Sequence, residues 1–232
     1  MAGFLHSLFN SESPGGLSAG LRKAGELLLF PFAFLAVLAV RALRPLVVIR
    51  FGALPTSTIG PFSLEVEVYL CEHDAGMHGR KAINIFYCHG LVVNQYLKKM
   101  WGRSLHVSQF AHLLDRINKR LPYSGLHQVP WRSRGSLDIH GLLARTEPHL
   151  TFTSEEERLG QEFLRGLGLP DGAPFVCFHA RDQAYLAALM PEIDQTPSLY
   201  SNSNVLSLLP AMEELARREV YSLRVGAIVQ EA

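Results

Sequence analysis

The 232-residue chain is short of charge in both senses. It carries 22 Lys+Arg against 21 Asp+Glu, a formal net charge of +1, and 19% of its residues are charged. An ordinary soluble domain has about 25%. Without an acidic or basic excess the chain is not a charge-extended disordered protein. The same lack argues against a dedicated nucleic-acid binder, whose contact face is strongly basic. Cysteine is scarce too. Cys71, Cys88 and Cys177 lie far apart and form no CxxC pair, which excludes a disulfide framework and suits a reducing compartment. There is no GxGxxG, no GxxxxGK[ST] and no HExxH, so the motif-level signs of dinucleotide, Walker-type phosphate and metallopeptidase sites are missing. His73, Asp74 and His78 share a turn-rich stretch and read as solvated loop residues. Cys88 and His89 are adjacent on an expected strand and point to opposite faces. No metal site and no resident cofactor are expected.

Apolar residues, by contrast, are plentiful, at 48%, and much of the excess is local. Leu27–Val40 is fourteen residues without a charge. As a helix it would be ~21 Å long at about 1.5 Å per residue, short of the ~30 Å bilayer core. Pro31 would kink or start it. Arg22 and Lys23 precede it, and Arg41, Arg44 and Arg50 follow. A cleavable secretory signal is disfavoured because Arg41 interrupts the place of a cleavage site. The preferred expectation is a membrane-associated helix, re-entrant or interfacial, with cationic flanks toward anionic lipid. The competing expectation is a buried core helix. Residues 1–44 form the leader and this helix, the first 20 residues being loose or amphipathic.

Beyond Pro45 the pattern becomes one of strands alternating with helices, which indicates α/β with a parallel sheet. Strands are expected at 46–51, 66–70, 82–87, 174–178 and 221–225, the first and fourth as buried strands. Helices are expected at 94–101, at 107–121 with Phe110, Leu113, Leu114 and Ile117 on one face, at 205–218, and from the capping pattern at Thr153 to Gly168, with Pro170 beyond. Residues 185–190 read as helix or loop. Residues 52–60 read as a Gly- and hydroxyl-rich loop after a strand, where backbone can approach a ligand. His179, Arg181 and Asp182 follow the strand at 174–178. Ligands of open α/β sheets bind at such strand ends, and Arg181 has the fork geometry to hold a phosphate. Mutual pairing of Arg181 and Asp182 is the alternative.

Several segments together resemble one known family: Val47–Phe62, Glu67–Glu72, Val93–Trp101, Phe175–Asp182 with Ala184–Leu186, and Leu208–Met212 with Tyr221–Gly226. In order and spacing they are similar to bacterial GT-B-type glycosyltransferases of surface-polysaccharide gene clusters. His179-Ala-Arg181 also resembles the donor-binding element of fucosyltransferase-like GT-B enzymes. The resemblance implies two Rossmann-like domains with an active cleft between them. Residues 45–150 would form the acceptor-side domain, with Gly52, Ser57, Thr58 and Gly60 on its cleft loop. Residues 151–232 would begin a donor-binding domain, incomplete at this length. The family carries Arg-Asn-x-Asp where this chain has Ser201-Asn-Ser-Asn204. His179, Arg181, Ser201 and Asn202 would then hold the donor, and Asp182 would be the catalytic carboxylate. A sugar would pass from a nucleotide-sugar to a glycan or lipid-linked acceptor, at the cytoplasmic face of the inner membrane, with the protein peripheral or monotopic. No bound metal is needed where arginine neutralises the leaving diphosphate. The alternative is a truncated, inactive membrane-associated remnant that acts by binding.

Overall fold

A computed structural model describes residues 17–79, 82–131, 138–189, 202–226 and 228. Contacts divide the chain into two units, Met1–Thr151 and Phe152–Ala232. The fold is mixed α/β, with a three-stranded parallel sheet in the first unit and a two-stranded parallel sheet in the second.

In the first unit β1 (Val48–Leu54) pairs with β2 (Ala82–Cys88), and β2 with the short β3 (His106–Val107), all in parallel. On the other edge of β1 a single parallel bridge joins Phe51 to Gln128, with Val129 N donating to Phe51 O at 3.0 Å. The sheet order therefore reverses at β1, a topology compatible with a Rossmann-like unit. Alternation along the strands feeds two cores. Leu54, Phe86 and Cys88 face one side, where Phe62, Val66, Tyr69, Leu70, Leu97 and Trp101 cover them. Those residues belong to a π-helical turn (Pro61–Glu65), to α2 (Val66–Asp74) and to α3 (Gln95–Ser104). Trp101 Nε1 donates to Phe62 O at 2.8 Å, so the deepest aromatic has its polar atom satisfied.

The opposite face, with Ile49, Phe51, Ile85 and Tyr87, is covered by α1 (Leu17–Ala42) and α4 (Phe110–Asn118). Leu113, Leu114 and Ile117 of α4 are buried as the periodicity requires, whereas Phe110 is exposed. Asp115 ties three elements together. Tyr87 Oη donates to its Oδ2 at 2.7 Å, Gln128 Nε2 to its Oδ1 at 2.6 Å, and Lys119 Nζ lies 2.7 Å from Oδ2. Burial first, and the bond to Asp115 second, hold the Tyr87 phenol protonated well above the usual range.

The apolar N-terminal segment divides its residues between two environments. Ala33 and Val37 are fully buried, and Phe30, Phe34, Ala36 and Val40 pack against the same core. Leu28, Leu29, Phe32, Leu35 and Leu38 are exposed. The helix runs through Pro31; one lost N–H bond is tolerated because the neighbouring turns are fixed on the sheet. Two of the expected cationic flanks have other partners. Arg41 donates to Asn118 Oδ1 at 2.8 Å and also to Pro122 O. Arg50 donates to His78 O at 2.7 Å. Among the described residues no helix is long and apolar enough to cross a membrane.

The structure corrects several sequence expectations. Residues 66–70 are helical, not a strand: Val66, Tyr69 and Leu70 recur at helical spacing and enter the core with Phe62. The alternation read over five residues was too short to separate the two periods. His78 is not a solvated loop residue. It is buried, its Nε2 lies 2.8 Å from Glu72 Oε2, and its ring stacks on Tyr69 at 4.8 Å. The loop read as 52–60 is shorter, because Gly52, Ala53 and Leu54 belong to β1 and Ile59 already begins the helical segment.

Gly52 is required by packing. A Cβ built on it would lie 2.7 Å from Val129 Cγ2 and 2.9 Å from Val129 Cβ. Gly52→Ala is therefore expected to cost about 1–3 kcal/mol, the usual penalty for overpacking a filled core. In chemical denaturation the double variant with Val129→Ala should lose less than the two single changes added. Simple additivity would mean that the two positions do not touch.

The second unit opens with α5 (Ser154–Gly166), which has the expected capping box. Glu156 N donates to Thr153 Oγ1 at 3.2 Å and Thr153 N to Glu156 Oε2 at 2.9 Å. It ends at Gly168, φ +85°, with Gly168 N donating to Arg165 O and Leu169 N to Leu164 O, the Schellman arrangement that favours glycine. β4 (Phe175–Phe178) and β5 (Tyr221–Arg224) pair in parallel, with Phe178 opposite Arg224. Between them lie α6 (Ala184–Leu189), a 3-10 turn (Val205–Leu208) and α7 (Leu209–Arg217). The strand at Phe175–Phe178, expected to be buried, is largely exposed. Among the described residues, the helices beside these two strands leave part of the sheet uncovered.

Candidate functional site

The candidate site grows from the ends of the two parallel strands in the second unit. β4 stops at Phe178, and the chain continues through His179, Ala180, Arg181 and Asp182. β5 stops at Arg224, beside Phe178 in register. Val225 N donates to Phe178 O at 2.9 Å and carries the pairing one step further. Ser203 N donates to Arg181 O at 2.8 Å and draws 202–204 across the strand ends. Asn204 then starts the next turn: its Oδ1 accepts from Leu206 N at 2.8 Å, and its carbonyl accepts from Ser207 Oγ at 2.6 Å.

These constraints enclose a cavity of about 360 Å³ lined by Ala180, Arg181, Asp182, Asn202, Ser203, Asn204, Val205 and Arg224. It lies at the carboxyl ends of parallel strands, where open α/β sheets receive ligands. Its volume is in the range of small-molecule sites, about 300–1,000 Å³. Two guanidiniums and two side-chain amides line it, and among the described residues Asp182 is its single carboxylate. Asp182 is not paired with Arg181 among the described residues. Its Oδ1 accepts from Ala184 N at 2.9 Å and turns the chain into α6. Two cations against one carboxylate leave the described lining net positive, which suits an anion with several oxygens.

Of the donor-side residues expected from sequence, Arg181, Asp182 and Asn202 line this one cavity. His179 does not; it is exposed and absent from the lining. Ser201 lies outside the described residues. Arg224, Ser203 and Asn204 were missed. Arg224 had a readable signal, since it ends a strand parallel to the one that ends before Arg181. Asn204 had one also, as a cap residue before an apolar helix.

The residues expected on the acceptor side behave differently from one another. Ser57 and Thr58 are exposed in the turn after β1. Gly60 is exposed as well, and a Cβ there would meet nothing within 4 Å. Gly52 is a strand residue facing Val129, so it lines no loop. Thr56, which the sequence did not single out, is buried: its Oγ1 donates to Leu91 O at 2.8 Å and its carbonyl accepts from Val93 N at 3.0 Å. These bonds hold the turns after β1 and β2 together. Ser57 and Thr58 thus sit where the strand order reverses, the ligand-binding position of such sheets.

His89 and His112 stack at 4.5 Å, and the buried Cys88 beside His89 faces the core instead. Burial pushes the Cys88 thiol up from its ordinary value, so a Cys88–His89 nucleophile is not assembled. Among the described residues one group of three metal-type donors occurs, Glu67, Cys71 and His149, in the first unit. No family model, no curated protein and no solved structure matches the chain.

Proposed function

We propose that the chain binds a nucleotide-sugar through its diphosphate at Arg181 and Arg224 and acts as a GT-B-like glycosyltransferase on a glycan or lipid-linked acceptor. The observation that carries this reading is the convergence of two arginines with Asn202 and Asn204 on one cavity at parallel strand ends. Cleavage of a nucleotide-sugar leaves charge on the diphosphate. Paired guanidiniums aimed at that charge stabilise its departure without a metal. Among the described residues Asp182 is the only carboxylate in the lining, and in this reading it takes the acceptor proton. Ser57, Thr58 and Gly60 are the acceptor-side positions in this reading. Calorimetric titration with GDP- and UDP-sugars tests it: one site per chain is expected for at least one donor, and no heat with either would overturn it.

One observation favours a second reading, in which the chain binds the donor without turning it over. Asp182 Oδ1 is already committed to Ala184 N, which restrains the carboxylate as a turn former. Release of free nucleoside diphosphate from a bound nucleotide-sugar separates the two readings.

The exposed stripe of α1 supports a membrane surface as partner. Leu28 is 75% exposed, Phe32 70% and Leu35 62%, an apolar band of the kind that enters the headgroup boundary. In flotation with vesicles containing anionic lipid, the protein should rise with the vesicles. Phe32→Glu with Leu35→Glu should leave it at the bottom while its unfolding transition stays within about 0.5 kcal/mol, as for other surface changes. Flotation of the double variant would overturn the lipid reading of that stripe.

A further inference from the structure

Away from the cavity, one side of α2 meets the stretch after Asp138. Glu67 and Cys71 are four residues apart on α2 and Asp74 is three further on, so all three share a face. His149 reaches them because the neighbouring backbone is fixed by α3. Ser104 Oγ donates to His149 O at 2.9 Å, and Arg103 Nη2 donates to Thr151 O at 3.0 Å. His149 N donates to Glu67 Oε1 at 3.1 Å. Its ring Nδ1 lies 3.1 Å from the same oxygen, and its Nε2 lies 3.1 Å from Asp74 Oδ2. Cys71 is buried beneath them, and one donor atom from each of Glu67, Cys71 and His149 falls within 4.8 Å of the other two.

An imidazole between two carboxylates is a sufficient ion pair without a thiol. The Cys71 thiol, which also hydrogen-bonds to the Thr146 side chain, adds a third metal-type donor beside that pair. Two donors that share a tetrahedral ion at about 2.0–2.1 Å from each lie ~3.3 Å apart, close to the Nδ1–Oε1 separation. The thiol lies within 4.8 Å of both other donor atoms, against ~3.5 Å for a sulfur and a nitrogen that share a tetrahedral zinc. Asp74 on the other ring nitrogen reproduces the carboxylate–histidine–metal arrangement that fixes the tautomer of a ligating histidine.

We propose that Glu67, Cys71 and His149 bind a divalent cation of the zinc class, with Asp74 orienting His149. The ion is bound by Glu67 Oε1, Cys71 Sγ and His149 Nδ1. Thiolate and imidazole together select a borderline-soft ion over magnesium or calcium, which require oxygen. Uptake releases the Cys71 thiol proton and any proton on His149 Nδ1. Three protein ligands leave one position for water. The ion joins α2 to the stretch carrying His149, in addition to the His149 ion pairs and the packing of Leu150 on the core.

The test uses the full chain, freed of metal by a chelator and titrated with zinc against a chromophoric competitor, then with cobalt(II) as a spectroscopic probe. One zinc per chain is expected, and the cobalt form should absorb in the thiolate-to-metal charge-transfer region. Cys71→Ser should abolish that absorption and weaken zinc by about 100-fold, while Asp74→Asn should keep the absorption and weaken zinc by about 10–100-fold. Cys177→Ser, at the exposed cysteine of the second unit, should change neither. If Cys71→Ser does not fold, His149→Gln takes its place and should lose zinc to the same extent. Zinc held equally well by Cys71→Ser or His149→Gln, a cobalt form of the unaltered protein without the charge-transfer band, or a band lost in Cys177→Ser would each overturn the site.

Discussion

Val37→Asp is expected to unfold the first unit, whereas Leu35→Glu, two residues away, should leave its unfolding transition close to that of the unaltered protein. Val37 is fully buried among Phe51, Tyr87, Ala111 and Ile117. Removing it forfeits about 1.5–3 kcal/mol of side-chain burial. The carboxylate that replaces it has no partner there, and an unpaired buried charge costs several kcal/mol more. The sum is about 5 kcal/mol, comparable with the whole net stability of an ordinary domain, about 5–15 kcal/mol. Leu35 sits on the other side of the same helix, with 62% of its surface already in water. Thermal melts followed by circular dichroism read both variants. A cooperative melt of Val37→Asp near the original midpoint would show that α1 is not part of the core. For the same reason, deleting residues 1–44 to test membrane binding would uncover the sheet as well as the proposed lipid contact. The exposed-stripe variants avoid that.

Replacing Arg181 and Arg224 together by alanine should abolish nucleotide-sugar binding, with each single change weakening it by roughly 10- to 100-fold, since a hydrogen bond to a charged group contributes about 1.5–3 kcal/mol. Neither guanidinium is engaged by a carboxylate among the described residues, so the loss reports on the ligand and not on a broken ion pair. Arg181→Lys separates charge from shape: a lysine keeps the charge and loses the fork, and intermediate binding is expected. His179→Ala, outside the lining, should bind as the unaltered protein does. Donor binding that survives both arginine changes, with the fold intact by circular dichroism, would remove the second unit from the donor side.

Local signals were legible wherever one hydrogen bond or one glycine is enough to end or begin an element. The capping box at Thr153 and the stop at Gly168 both follow from residues within a few positions of each other. The placement of Arg181 and Asp182 was partly legible, because strand ends in parallel sheets are general ligand positions, whereas Asn202 was named only through the family resemblance. The helix at Val66–Asp74 was misread because the polar residue Glu67, which suggested a strand face, is used by His149 from 82 residues away.

The alternation of short apolar runs with amphipathic ones was enough to indicate an α/β protein with parallel strands. They act within a few residues of chain, so a linear reading captures them. Long-range contact decided which side of each element is covered. It divided an apolar segment into a buried stripe through Val37 and an exposed one through Phe32. It diverted Arg41 and Arg50 to carbonyl and amide oxygens far along the chain, and it made Gly52 a packing requirement instead of a loop residue. It also gathered Glu67, Cys71, Asp74 and His149 into one cluster. Burial and close approach depend on partners that the local pattern does not name.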